Sequence, residues 1–185
     1  MQPAAGDEPE PRFVLGAGLA VYMLLAAGAL AWLWWRQRLD VLAPRAIGDH
    51  GPWLASGVGL VAGIVIAVAF AITSRRTERG REYDAVIRRT FAGTGDTAAA
   101  LFVLTSAVAE ELFFRLAVQD ALGLLGSVAI ATAVNSCVGG WRWLPLALVH
   151  AATLGAIVHG GLGLLGSTTA NAVANYLNLR RIQCL

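Results

Sequence analysis

The sequence predicts an all-α, multi-pass transmembrane bundle of about six spans, forming a single membrane domain over residues 1–185. Three observations predict it. Hydrophobic residues make up 57% of the 185 and charged residues only 14%, against roughly 25% charged in an ordinary soluble domain. Long apolar runs recur, several of them close to the roughly 20 residues that cross a hydrocarbon core. The 14 basic residues, all arginine, gather beside those runs, as membrane proteins arrange them. That arrangement, with a net charge of +2, argues against a nucleic-acid partner and for the lipid bilayer as one.

The first run is Phe13 to Trp35, closed by Trp34, Trp35 and Arg36, an aromatic and basic interface anchor. It is too long for the core of a cleavable signal peptide, and the acidic Met1 to Arg12 before it is unlike a signal's basic start. Leu54 to Ile72 is the second span. Its Gly, Ala and Val content suits close helix contact in lipid. Ser74 to Asp96 is a polar stretch holding Arg75, Arg76, Arg79, Arg81, Arg88 and Arg89; it reads as a solvated loop with a short surface helix. Ala98 to Gln119 is the third span, Leu122 to Val138 a short fourth, and Leu144 to Val158 a fifth that runs into Gly160, Gly161 and Gly163. Leu164 to Leu179, closed by Arg180 and Arg181, is the sixth. With the arginine-rich loop in the cytoplasm, ten arginines face inward (Arg12 and Arg142 among them) and three, Arg36, Arg38 and Arg45, face outward. The expected location is therefore the cell (inner or plasma) membrane with both termini cytoplasmic.

The third span carries the chemistry. Glu110 and Glu111 stand side by side in an apolar segment, with Arg115 four residues on. One carboxylate at membrane depth costs on the order of 3 kcal/mol, so a pair of them marks a function. Glu111 and Arg115 share a helix face and can pair. Glu110 points about 100° away from Glu111 and is left free for work as a general base. A packing lock, a proton relay and a hydrolytic site all fit such a turn. Asn171, Asn175 and Asn178 form a second stripe along the last span. Their amides can bond across helices, hold an oxyanion or orient a water.

His50 falls in the polar loop between the first two spans. His150 and His159 are nine residues apart on opposite faces of the fifth span. There is no HExxH and no compact ligand cluster, so neither a metal nor any other cofactor is expected. Cys137 and Cys184 do not make a disulfide framework.

The residues Glu110-Glu111-Leu112-Phe113-Phe114-Arg115 resemble the EExxxR motif of the CPBP family, the CAAX protease and bacteriocin-processing membrane proteins, which include the type II CAAX prenyl endopeptidases. Leu164 to Asn171 resembles the family's "LLAPILAH", and Asn171 to Asn175 then falls on its HxxxN motif. The resemblance covers roughly residues 98–181. It implies an intramembrane endopeptidase, of the glutamate type though formerly labelled a metalloprotease, acting on a peptide or protein substrate that can be lipidated. In that mechanism Glu110 activates a water with help from a histidine of a middle FxxxH motif, the last motif holds the oxyanion, and Glu111 and Arg115 shape the site. This chain departs twice. Asn171 replaces the histidine of the last motif, and the expected place of the middle one, Val134-Asn135-Ser136-Cys137, offers Asn135 as counterpart. Leu146 to His150 also has an FxxxH-like shape, but it crowds the segment that follows. Asparagine cannot shuttle a proton as histidine does. A catalytically degenerate relative, a scaffold or immunity protein that binds without cleaving, is therefore the alternative.

Overall fold

The computed structural model describes residues 11–139 and 143–184, and among them every regular element is helical. Helix α1 spans Pro11–Trp35, α2 is the short Leu42–Ile47, α3 spans Pro52–Arg76 and α4 spans Glu78–Thr90. Helix α5, Asp96–Glu111, passes into a π-helical stretch, Leu112–Val118. Then come α6, Gln119–Gly139, α7, Leu144–Ile157, and α8, Gly163–Gln183. Three stretches are long and apolar enough to cross a membrane: Leu15–Trp35, Pro52–Arg76 and Leu144–Gln183. The chain is a membrane protein on that ground. Large apolar side chains such as Leu24, Val61 and Leu125 point outward, as lipid-facing residues do. The acidic start of the chain (Met1–Glu10) and Arg142 lie outside the described residues, as do the side chains of Arg12 and Arg79.

Helix ends follow local chemistry. Proline opens α1 and α3, where its missing N–H would be unbonded anyway. Thr77 stops α3 by turning extended and caps α4, its hydroxyl accepting from Gly80 N at 3.0 Å. Arg75 and Arg76 close α3, and Arg88 and Arg89 close α4, beside the negative ends of the helix dipoles. The polar stretch predicted as a loop with a short surface helix is thus the helix α4, one face apolar, with Ile87 packed against the cluster of Phe91, Ala99, Val103 and Leu179.

The 40-residue stretch Leu144–Gln183 is not one rod. At 1.5 Å per residue it would measure about 60 Å, twice a bilayer core. It breaks at Gly161 (φ 79°) and Gly163 (φ 64°), in the left-handed region that glycine enters without strain. The break is pinned by Asp49 N donating to Gly161 O at 2.7 Å. A Cβ on Gly163 would come within 2.6 Å of Gly48 N, so nothing larger fits.

The tightest seam joins α3 to α8. Ala55, Gly59, Gly63 and Ala67 lie four residues apart and are all buried. A Cβ on Gly63 would sit 2.6 Å from Ala170 O and 2.8 Å from Val173 Cβ, and one on Gly59 would strike Gly166 O. Lipid gives helices no hydrophobic reason to associate, so small residues that let backbones touch supply the contact instead. The seam fixes the axial position of α8 and of its asparagines.

The bundle has two ends. At one, α4 packs near the start of α1 and the ends of α3 and α8, and Arg181 Nη1 and Nη2 both donate to Asp84, at 2.8 and 2.9 Å. Ser74 also donates to Asp84, and Arg180 pairs with Asp96. At the other end, Arg36, Arg38 and Arg45 meet Asp120.

Candidate functional site

Glu110 and Glu111 occupy the last turn of α5, where the helix passes from α to π. Fourteen residues from Asp96 put Glu110 about 21 Å along the helix, deep between the two ends. A π-turn inside a longer helix commonly marks a functional position, because it re-aims the side chains around it.

The two carboxylates live in different surroundings. Glu111 is 1% exposed and Arg115 2%, and they pair at 3.6 Å from Arg115 Nε to Glu111 Oε2, the partnership their i, i+4 spacing predicts. Arg115 Nη1 donates to Ser127 Oγ at 2.9 Å, and Ser127 donates to Phe114 O at 2.7 Å. The guanidinium is thereby tied to α6 and to its own π-turn. Gly155 of α7 leaves room for it: a Cβ there would stand 3.3 Å from Arg115 Nη1. Glu110 is only half-buried and is the more exposed of the two carboxylates.

Asn171, 1% exposed, bridges the pair from α8. Its amide nitrogen donates to Glu110 Oε2 at 3.0 Å and towards Glu111 Oε1 at 3.4 Å. Asn175 Nδ2 donates to Asn171 Oδ1 at 3.0 Å, one turn along. Both hydrogens of the Asn171 amide are therefore committed to the carboxylates, and Asn175 fixes which way that amide faces. Asn178, third in the predicted stripe, keeps a buried Oδ1 without a partner.

The structure does not bring Asn135 into this group. Its amide donates to Ala131 O, four residues back on its own helix, at 2.9 Å. The histidine that reaches the site is His150. Its ring lies beside Asn171 within side-chain hydrogen-bonding reach, its Nε2 is buried without a partner, and Phe70 meets it edge-on at 6.0 Å. Helix α7 ends at Ile157, and after the glycine break α8 starts afresh at Gly163.

Three other residues complete the surroundings. Tyr22 of α1 stands near Glu110, and Ser167 of α8, whose hydroxyl donates to Leu164 O at 3.3 Å, stands near Glu111. Tyr83 of α4, beside Trp143 at 5.3 Å, faces the same end of the cluster. Burial, then the charges of Asp84 and Glu110, push its phenol upward and keep it neutral. The sequence did carry a signal for Tyr22. It is the one hydrogen-bonding side chain in the apolar run between Phe13 and Ala31. Ser127 and Ser167 had none, since small polar residues are common in apolar helices. Among the described residues no group of three or more His, Cys, Asp or Glu is placed to hold a metal ion.

Comparison with known protein families, with curated proteins and with solved structures finds no match to this chain in any of the three.

Proposed function

We propose that the protein is a membrane-embedded endopeptidase of the CPBP type, in which Glu110 activates water to hydrolyse a peptide bond in or near the membrane. One observation carries the reading. A half-buried glutamate at membrane depth is held by an asparagine from another helix, beside a second glutamate neutralised by Arg115, with a histidine against that asparagine. A packing lock needs one carboxylate and one arginine; it has no use for Glu110.

In the proposed step Glu110 takes a proton from water as the water oxygen bonds to the carbonyl carbon. The oxyanion receives hydrogen bonds from groups still free to donate. These are the second Asn175 amide hydrogen and His150 Nε2, since both Asn171 hydrogens already serve carboxylates. As the carbon–nitrogen bond breaks, Glu110 returns its proton to the leaving amine. A general base of this kind contributes about 10²–10⁴-fold. The reading also takes the five long apolar helices, with α7 and α8 separated at their glycine break, as six spans. Both termini and α4 lie on the arginine-rich cytoplasmic side of the cell membrane. The substrate is a peptide or protein at the membrane, lipidated or not.

The test is cleavage of membrane-linked peptides by the purified protein in lipid nanodiscs, read by mass spectrometry. Glu110→Gln should abolish it and His150→Ala should slow it; cleavage unchanged in Glu110→Gln would defeat the mechanism. A second reading, a relative that binds without cleaving, draws on Asn171 standing where the motif it resembles has histidine. It predicts peptide retention without products, in the wild type and in Glu110→Gln alike.

A further inference from the structure

At the end of the bundle away from α4, three arginines converge on one carboxylate. Arg36 Nη1 lies 3.3 Å from Asp120 Oδ2, and Arg38 Nη2 and Arg45 Nη2 each lie 3.1 Å from Asp120 Oδ1. The Asp120 side chain is 2% exposed, whereas the three arginine side chains are 31–39% exposed. One carboxylate can neutralise one guanidinium. Asp40, 3.5 Å from Arg38 and 71% exposed, neutralises a second at most. Asp49, the other acidic residue of this connection, turns towards Gly161 instead. At least one positive charge is left over, and the fifteen guanidinium N–H donors outnumber the contacts these carboxylates make.

The arrangement is built rather than incidental. Gln37, between Arg36 and Arg38, has φ 56°, and it is the one described residue other than glycine with positive φ. It ends α1 in a Schellman turn, Arg38 N donating to Leu33 O at 2.8 Å and Gln37 N to Trp34 O at 3.0 Å, and beyond that turn both neighbouring arginines reach Asp120. The depth is also marked. Trp34 and Trp35 are each 71% exposed and Trp53 90%, and Arg36 lies over the Trp32 ring at 5.8 Å. Exposed tryptophans at a helix end sit at headgroup level, so the spare donors stand where lipid phosphates are.

We propose that Arg36, Arg38 and Arg45 form a binding site for a phosphate-bearing anion, supplied by the phosphodiester of an anionic membrane lipid. Asp120 is the inner anchor that spaces the guanidiniums; the phosphodiester takes the outer side, its single charge matching the excess. Arginine suits this because its planar fork meets two phosphate oxygens at once.

Native mass spectrometry of the purified protein tests it, with phosphatidylglycerol, phosphatidylcholine or inorganic phosphate as the probe. The wild type should retain one phosphatidylglycerol in preference to phosphatidylcholine. Each arginine near an anionic lipid contributes about a fivefold factor, so Arg38→Gln with Arg45→Gln should weaken retention about 25-fold while Arg36 still pairs with Asp120. Asp120→Asn separates this site from a purely structural clamp. It should bind phosphatidylglycerol at least as tightly as the wild type even as it loses thermal stability. Equal retention of both lipids, undiminished retention by the double variant, or inorganic phosphate competing as well as the lipid would each overturn the proposal.

Discussion

Replacing Arg115 by methionine probes the buried pair most directly. Methionine roughly keeps the length of the side chain and removes the charge. Glu111, 1% exposed, would then have no counterion and only the Asn171 amide at 3.4 Å, so it must stay charged and desolvated or take up a proton, and either is costly. Removing one partner of a buried pair costs about 3–5 kcal/mol. For a chain of this size each kcal/mol moves the melting temperature by about 2–4 °C, so the loss should be about 6–20 °C. The double variant Glu111→Gln with Arg115→Met carries no charge at the site and should recover most of that loss. Melting of the wild type, both single variants and the double variant in one detergent gives the full cycle. Losses that simply add in the double variant would refute the reasoning, since the two side chains would then not be acting on each other.

Other outcomes follow from the same geometry. Gly63→Leu should separate α3 from α8, because its side chain has only Ala170 O and Val173 to displace; overpacking of this kind costs about 1–3 kcal/mol and would be read as a lowered melting temperature in detergent. Asn135→Ala should leave peptide cleavage unchanged, as that amide bonds only within its own helix, whereas Asn175→Ala should reduce it by freeing the Asn171 amide to rotate. Arg181→Gln should expose α4 to limited proteolysis, because Asp84 then loses both its guanidinium bonds.

Much of this arrangement was legible in the sequence, for physical reasons that can be named. The apolar runs located the long helices to within a few residues, since bilayer thickness fixes their length. The i, i+4 spacing of Glu111 and Arg115 fixed their pairing, and the spacing of Asn171 and Asn175 fixed their shared face. What a one-dimensional pattern does not carry is which helix faces which. Asn171 meets Glu110 across 61 positions of sequence, through a seam set by the small residues of α3. His150 is hidden for a related reason: counting along the chain points to Asn135, whose amide bonds within its own helix, and only the packing of α7 on α8 puts the His150 ring beside Asn171. The π-turn had no sequence signal at all.

The seam between α3 and α8 also bears on how the molecule comes into being. Helix α8 leaves the ribosome after every other helix described here, yet it supplies the amide that bridges Glu110 and Glu111 and the partner surface for Gly59 and Gly63. Until it inserts, α3 shows lipid a bare glycine groove and the carboxylates lack their bridging donor. Biogenesis thus has a vulnerable interval, in which a half-made chain holds its buried polar groups without the amide that bridges them. The last helix closes the groove and completes the site in one movement.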